Sequence, residues 1–355
     1  MEKYNVIGLM SGTSLDGLDL AYCTFSRKNS VWGFVIKKAT TLRYSAAWLK
    51  QLSQAHACSG EELIALDIAF GKFMGNACRE FQDKHKLRVD FIASHGHTVF
   101  HQPRKGFTFQ LGNAQALHLA SGKPVIADFR SLDVLLGGEG APLVPAGDRF
   151  LFAGYDVCLN LGGIANLSVE VKRKRIAYDI CFMNMGLNHL AIKAGKVFDA
   201  YGEMASDGEL NMTLWKKLTK VYAGLRKKRP SLGREIFEKQ IKPLLDDESV
   251  SLPDRLRTFT ESAAAEISSA ILTACEKPKV LCTGGGAYNS FFISRLLEFC
   301  GDYAELIIPE DEIVKYKEAL VFAFLGVLRL RGEVNCLRSV TKASADSSSG
   351  VMIGF

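Results

Sequence analysis

Apolar positions along this 355-residue chain alternate between short continuous runs and longer stretches with helical spacing. The first run, Tyr4-Asn5-Val6-Ile7-Gly8-Leu9-Met10, breaks at Ser11-Gly12-Thr13-Ser14-Leu15-Asp16-Gly17 and resumes at Leu18-Asp19-Leu20-Ala21-Tyr22-Cys23. That order predicts a strand, a hydroxyl-rich turn and a returning strand. Helices are predicted over 46–57 and 60–86, where Leu63, Leu66, Phe70, Phe73 and Met74 recur on one face. Phe91-Ile92-Ala93 predicts a buried strand ending at Ser94-His95-Gly96. Strands at 107–111 and 124–127 and a short helix at 115–120 follow. The glycine-rich stretch 135–142 reads as a loop.

A second series opens at Asp156. Strands are predicted at 157–161, 165–171, 175–180 and 279–282, with helices starting near Met185, Met212, Leu256 and Asn289. Glu318–Leu330 predicts a buried helix. Residues 224–254 are charged and proline-punctuated, and predict a mobile insert. The strand–glycine turn–strand unit at 4–23 recurs at 157–171, around Gly162-Gly163. Two such hairpins facing each other would clamp a phosphate chain. The fold class expected is therefore α/β in two domains, 1–130 with 331–355 and 131–330, as the length also suggests.

Composition narrows the function classes. The formal charge of +6 is spread along the chain, with local excesses at 172–175 and 225–229. A nucleic-acid binder would concentrate its cations and interleave aromatics, so no nucleic acid is expected. Nine scattered cysteines without a Cys-x-x-Cys pair read as thiols in a reducing compartment. The longest apolar run, 319–328, is too short for a bilayer. The first residues carry no leader pattern. A cytoplasmic chain without a membrane partner is the expectation.

Candidate chemistry concentrates at the turns. A two-residue turn suffices for a hairpin, so the longer Gly12–Gly17 turn suggests a ligand. Glycines allow close backbone approach and consecutive N–H groups form an anion site. Thr13 and Ser14 add hydroxyls, and Asp16 can face a metal ion. Gly284-Gly285-Gly286 lies between a strand and a helix, where a phosphate or a base can approach the backbone. Neither a P-loop nor a dinucleotide glycine pattern is present. His95, His97 and His101 would share one face of a strand. Hydrogen bonding to a polar ligand or backbone is the simpler reading of them, and a metal the alternative. Arg130 follows a strand end and suits a carboxylate or phosphate, with a structural ion pair as the alternative. Asp179, read at a strand end among apolar residues, is either a general base or a buried partner. Glu318 opens the apolar helix, where dipole stabilisation alone would suit it.

Together these segments resemble one family, the anhydro-N-acetylmuramic acid kinases, of the superfamily that joins sugar kinases, actin and heat-shock ATPases. The resemblance rests on Gly8–Gly17, Ser94-His95-Gly96 with Thr98, Ala127-Asp128-Phe129-Arg130, and Gly137–Pro145. It continues through Asn160–Asn166, Gly284–Ala287, Lys317-Glu318-Ala319 and Phe322-Ala323. It implies two actin-like (ribonuclease H-like) domains, mixed sheets flanked by helices, and ATP and substrate in the interdomain cleft. It implies ATP and Mg²⁺ as cofactors and a small-molecule sugar as substrate. The reaction is phosphorylation of O6 of 1,6-anhydro-N-acetylmuramic acid while water opens the anhydro bridge, giving N-acetylmuramic acid 6-phosphate in cell-wall recycling. By the same resemblance Gly12, Thr13, Ser14, Leu15, Asp16 and Gly17 hold ATP phosphates and metal, with Gly162, Gly163, Gly284, Gly285 and Gly286. Asp179 activates the water. His95, Arg130 and Glu318 lie at the sugar. A homodimer is expected from likeness alone. Where the family reads Thr-Gly-Pro-Gly-Asn after the aspartate, this chain reads Ile180-Cys181-Phe182-Met183-Asn184. His97 replaces a Gln and Asn188 an Asp. These departures motivate an alternative on the same fold, a nucleotide-gated binding protein or a kinase for a different sugar.

Overall fold

The computed structural model describes residues 2–228 and 230–355; Arg229, the end of the basic stretch 225–229, lies outside them. In chain order the strands are β1 (Glu2–Ser11), β2 (Leu18–Lys28), β3 (Val31–Leu42), β4 (Phe91–Gln102), β5 (Phe107–Leu111) and β6 (Val125–Ala127). They continue with β7 (Val157–Leu161), β8 (Ile164–Val171), β9 (Lys174–Phe182), β10 (Lys279–Thr283), β11 (Glu305–Ile307) and β12 (Val351–Ile353). The chain divides into two compact units, one of residues up to Ala153 with Tyr316–Phe355, the other Gly154–Lys315. The expected boundaries were 130/131 and 330/331.

In the first unit the strand order is β12-β6-β4-β1-β2-β3, with β5 paired to β4. β1 runs antiparallel to β2 and parallel to β4. Alternation along β1 sends Ile7 and Leu9 into one apolar cluster with Phe70, Met74 and Leu117. The helix Gly60–His85 covers that face, started by a capping box in which the Ser59 side chain accepts from the Glu62 N–H. The opposite face receives the helix Asp311–Leu330. A Cβ on Gly8 would lie 1.9 Å from the Ala319 carbonyl oxygen, so only glycine admits this helix. Residues 319–325 are almost wholly buried. The helix departs from helical geometry at Tyr316, which is where the chain passes from one unit to the other. This packing explains why 316–330 belongs with the first unit.

The second unit carries a sheet of order β11-β10-β7-β8-β9. β7 pairs antiparallel with β8 and parallel with β10. The helix Leu252–Ala274 supplies Phe259, Ala263, Ile267 and Ile271 to its core. The stretch 224–254, expected to be a mobile insert, is instead packed. Leu225, Leu232, Phe237, Ile241 and Leu245 all join that core. From 237 onward the apolar residues recur every fourth position, and the charges between them occupy the outer face. The α/β class, with mixed sheets flanked by helices, is borne out.

Candidate active site

The β1–β2 ladder closes at the pair Ser11–Leu18, leaving Gly12–Gly17 as the turn. Thr13, Ser14 and Asp16 are exposed. Leu15 sits at φ 61° and Gly17 at φ 157°, and the Leu15 N–H donates to the Gly12 carbonyl at 3.2 Å. A Cβ on Gly17 would lie 2.7 Å from the Leu42 carbonyl oxygen, so the turn lies flush against the end of β3. Just beyond it, Asp19 accepts from the Thr41 hydroxyl at 2.6 Å. Burial raises its pKa, Thr41 lowers it, and the Asp16 charge raises it again.

Arg130 lies in a defined bed. Its Nε donates to His95 Nε2 at 2.9 Å and its Nη1 to the Gly140 carbonyl at 2.6 Å. His95 in turn donates from Nδ1 to the Gly96 carbonyl at 2.9 Å, which assigns the proton to Nδ1 and the lone pair to Nε2. Burial, then the Arg130 charge, hold the His95 pKa well below its usual value, so the ring is neutral and aims the guanidinium. The Gly140 loop is itself fixed by Asp133, fully buried. Asp133 accepts from the Gly140 N–H at 2.8 Å, the Thr341 hydroxyl at 2.7 Å and the Cys336 thiol at 3.1 Å. A Cβ on Gly138 would meet that carboxylate at 2.2 Å. Burial pushes the Cys336 thiol well up.

Glu318 lies near the same guanidinium. Its side chain is solvent-accessible, while the surrounding protein desolvates its carboxyl and raises the pKa; Arg130 lowers it and Asp19 raises it. The preceding Lys317 turns inward. It pairs with buried Asp148 at 2.8 Å and lies 5.2 Å from the Phe152 ring centre, pinning this helix to the helix Val144–Leu151. The first unit thus brings His95, Arg130 and Glu318 together.

The histidines do not share a face. β4 runs on to Gln102 rather than ending at Gly96, and a bulge interrupts its register with β1 between Leu9 and Ser11. Gly96, at φ 74°, resets the alternation. His95 packs on Phe322, ring centres 4.6 Å apart, and His97 on Phe70 at 6.3 Å, from helices on opposite faces of the sheet. Among the described residues no group of three or more His, Cys, Asp or Glu is placed to hold a metal ion.

In the second unit two glycine segments and a helix start converge. Met183 and Met185 donate backbone N–H groups to the Gly163 carbonyl at 2.9 and 3.1 Å, and Asn184 donates to the Gly162 carbonyl at 3.2 Å. The Asn184 side chain donates to the Leu161 carbonyl at 3.1 Å. Gly284 has φ 86°, and a Cβ there would lie 2.6 Å from Asn160 Oδ1. A Cβ on Gly286 would lie 2.4 Å from Met183 Cε and 2.9 Å from the Leu161 carbonyl oxygen. The Gly162-Gly163 turn, the Gly284–Gly286 corner and the start of the helix Asn184–Lys193 therefore lie at one end of the sheet.

Asp179 stands apart from them. β9 continues three residues beyond it to Phe182, and Asp179 pairs across the ladder with Asn166, so it is not at the strand end. Its carboxylate accepts from the Leu232 N–H at 2.8 Å. Burial raises its pKa, against that bond and one from Ser231. It borders a cavity of about 110 Å³ that Tyr178, Leu225, Arg226, Leu232 and Glu266 also line. Glu266 pairs there with Arg226 at 2.5 Å.

Asp133, Asp19 and the Lys317–Asp148 pair were not singled out from the sequence. Asp133 had one available signal, a carboxylate between Arg130 and the glycine loop. Its partners Cys336 and Thr341 lie some two hundred residues onward and no spacing rule reaches them.

The family model described as anhydro-N-acetylmuramic acid kinase matches residues 4–354. The anhydro-N-acetylmuramic acid kinase of Sulfurovum sp. is 31% identical over 364 residues, covering 99% of each chain. That of Vibrio parahaemolyticus is 33% identical over 367 residues, again 99% of each. That of Vibrio cholerae is 33% identical over 375 residues, covering 99% of this chain and 98% of the relative. A match of this length spans every segment described above, and the chain belongs to the anhydro-N-acetylmuramic acid kinase family.

Proposed function

We propose that this protein is an ATP-dependent kinase that converts 1,6-anhydro-N-acetylmuramic acid to N-acetylmuramic acid 6-phosphate, a step of cell-wall recycling. The observation that carries the proposal is the family match from residue 4 to residue 354. In the reaction, water adds to C1, the C1–O6 bond breaks, and O6 takes the γ-phosphoryl group of ATP. Asp179 accepts the proton of the attacking water. Its raised pKa suits a base that binds and releases a proton. Arg130, aimed by His95 and Gly140, binds the anionic or carbonyl oxygens of the sugar, with Glu318 as acceptor for its hydroxyls.

For the nucleotide, the Gly12–Gly17 turn of the first unit takes phosphate oxygens through N–H groups and the Thr13 and Ser14 hydroxyls. Gly162, Gly163 and Gly284–Gly286 of the second unit offer side-chain-free backbone that a phosphate or a base can approach. Mg²⁺ keeps most of its coordination for phosphate and water and needs one or two carboxylates. The exposed Asp16, within a turn that also bears two hydroxyls, fits that demand, and the ion supplies charge neutralisation on the transferring phosphoryl group. No helix among the described residues is long and apolar enough to cross a membrane.

A second reading follows from Asp179, whose carboxylate is engaged by Leu232, and from Cys181, Phe182 and Met183, all buried, in place of the smaller family residues. It is a protein that binds ATP on this fold but phosphorylates another sugar or transfers little phosphate. One assay separates the two. Purified protein with ATP, Mg²⁺ and 1,6-anhydro-N-acetylmuramic acid is expected to add one phosphoryl group and one water to the sugar, read by mass. Transfer to an ordinary hexose instead, or nucleotide binding without transfer, would favour the second reading.

A further inference from the structure

At the root of the Gly12–Gly17 turn three buried polar side chains form a chain. Tyr44 donates its hydroxyl to Ser11 Oγ at 2.7 Å, and Ser11 Oγ bonds His97 Nδ1 at 2.9 Å. Ser11 is 1% exposed, His97 4% and Tyr44 7%. The three come from different elements: the last residue of β1, the stretch after β3, and β4 just past its bulge. Ser11 and His97 are register partners there.

A serine hydroxyl carries one proton and two lone pairs. Ser11 accepts from Tyr44 and keeps its own proton and a second lone pair for His97 Nδ1, so either tautomer of the neutral ring closes the chain. Phe70 packs edge-on to the ring, and Phe70, Phe73 and Trp48 wall the site. A buried polar group without its partner is costly in such a place, so the two bonds form or fail together.

The placement matters because the turn has little else to hold it. Its one internal backbone bond is Leu15 to Gly12, Leu15 carries a left-handed φ, and Thr13, Ser14 and Asp16 stand in solvent. Gly17 rests on Leu42 at one root; Ser11 is the other. The direction in which the Gly12 and Thr13 N–H groups leave β1 is set by the residue before them.

We infer that the Tyr44–Ser11–His97 chain is a positioning device for the turn, and that it governs affinity for nucleotide phosphate without touching the nucleotide. The inference rests on the proposal that this turn binds ATP.

The test uses the full chain and the variants His97→Leu, His97→Gln and Tyr44→Phe. ADP affinity with Mg²⁺ is measured by calorimetry, KM for ATP and for the anhydrosugar by kinetics, and folding by thermal unfolding. His97→Leu is expected to weaken ADP binding and raise KM for ATP by about tenfold, the loss of one buried hydrogen bond. KM for the sugar is expected to stay within about twofold. His97→Gln, which offers Ser11 an acceptor oxygen, is expected to recover most of the affinity. Tyr44→Phe, which removes a single hydroxyl, is expected to move ADP affinity in the same direction and serves if His97→Leu does not fold. Folded His97→Leu and Tyr44→Phe proteins with wild-type ADP affinity would overturn the inference while leaving the kinase proposal standing. Wild-type protein that binds no nucleotide overturns both.

Discussion

At the scale of single residues, protonation states divide the work. His95 is a neutral hydrogen-bond relay and Arg130 the cation it aims. Arg130→Lys keeps the charge but cannot bond His95 and Gly140 together through a planar fork; KM for the sugar is expected to rise at least about tenfold, with ADP affinity unchanged. His95 and His97 both have pKa values held below the ordinary 6.5. The unfolded chain then binds more protons than the folded one below that pH. Stability from these rings is complete above about 6.5 and is lost as pH falls toward their folded values. Denaturant unfolding between pH 7.5 and 5 is expected to show this loss, with a shallower slope in His97→Gln. Asp179 has the opposite sense, its pKa lying above 3.8. As the proposed base it must be ionised, so kcat is expected to fall in acid with a midpoint above that value. Asp179→Asn is expected to lower kcat by about a thousandfold or more while ADP still binds; a variant with ordinary turnover would remove Asp179 from the chemistry.

At the scale of elements, the apolar pattern was legible wherever one face is buried. β1, β2, β7 and β8 and the helices Gly60–His85 and Leu252–Ala274 lie close to where periodicity predicts them, because alternation and helical spacing are local rules. The pattern misled where a single glycine or a long-range partner intervened. Gly96 flips the second half of β4 and separates His95 from His97. The 224–254 stretch looked solvated because its charges outnumber its apolar residues, yet Leu232, Phe237, Ile241 and Leu245 bury against Phe259 and its neighbours. Leu245→Ala is expected to destabilise the second unit by about 2–5 kcal/mol, measured by chemical unfolding. A truly mobile insert would show no change. Gly286→Ala is expected to disturb the glycine corner, since its Cβ would press on the Leu161 carbonyl as well as on Met183, and to weaken ADP binding more than it lowers stability.

At the scale of the whole molecule, the first unit is completed only by the end of the chain. β12 pairs antiparallel with β6, and Cys336 and Thr341 satisfy buried Asp133. Removing residues 336–355 leaves that carboxylate without two of its donors, and the truncated chain is expected to lose cooperative unfolding of the first unit in calorimetry. Binding to the folded protein alone adds stability by mass action, about 2.7 kcal/mol at a hundred times Kd, so saturating ADP with Mg²⁺ is expected to raise the unfolding temperature of the intact protein. The sequence alone determined the family, most of the strands and helices in their order, and the glycine turns, since these depend on short-range periodicity and on residues adjacent in the chain; β3, β11, β12 and the helix Val144–Leu151 were not read from it. It also named His95, Arg130 and Glu318 by their motifs. Only the tertiary structure decided that Asp133 holds the loop that holds Arg130, that Ser11 roots the turn between Tyr44 and His97, and that Asp179 lies within β9 rather than at its end. Those are matters of register and of contacts between residues up to two hundred positions apart, and register is fixed by bulges and packing that no local pattern encodes.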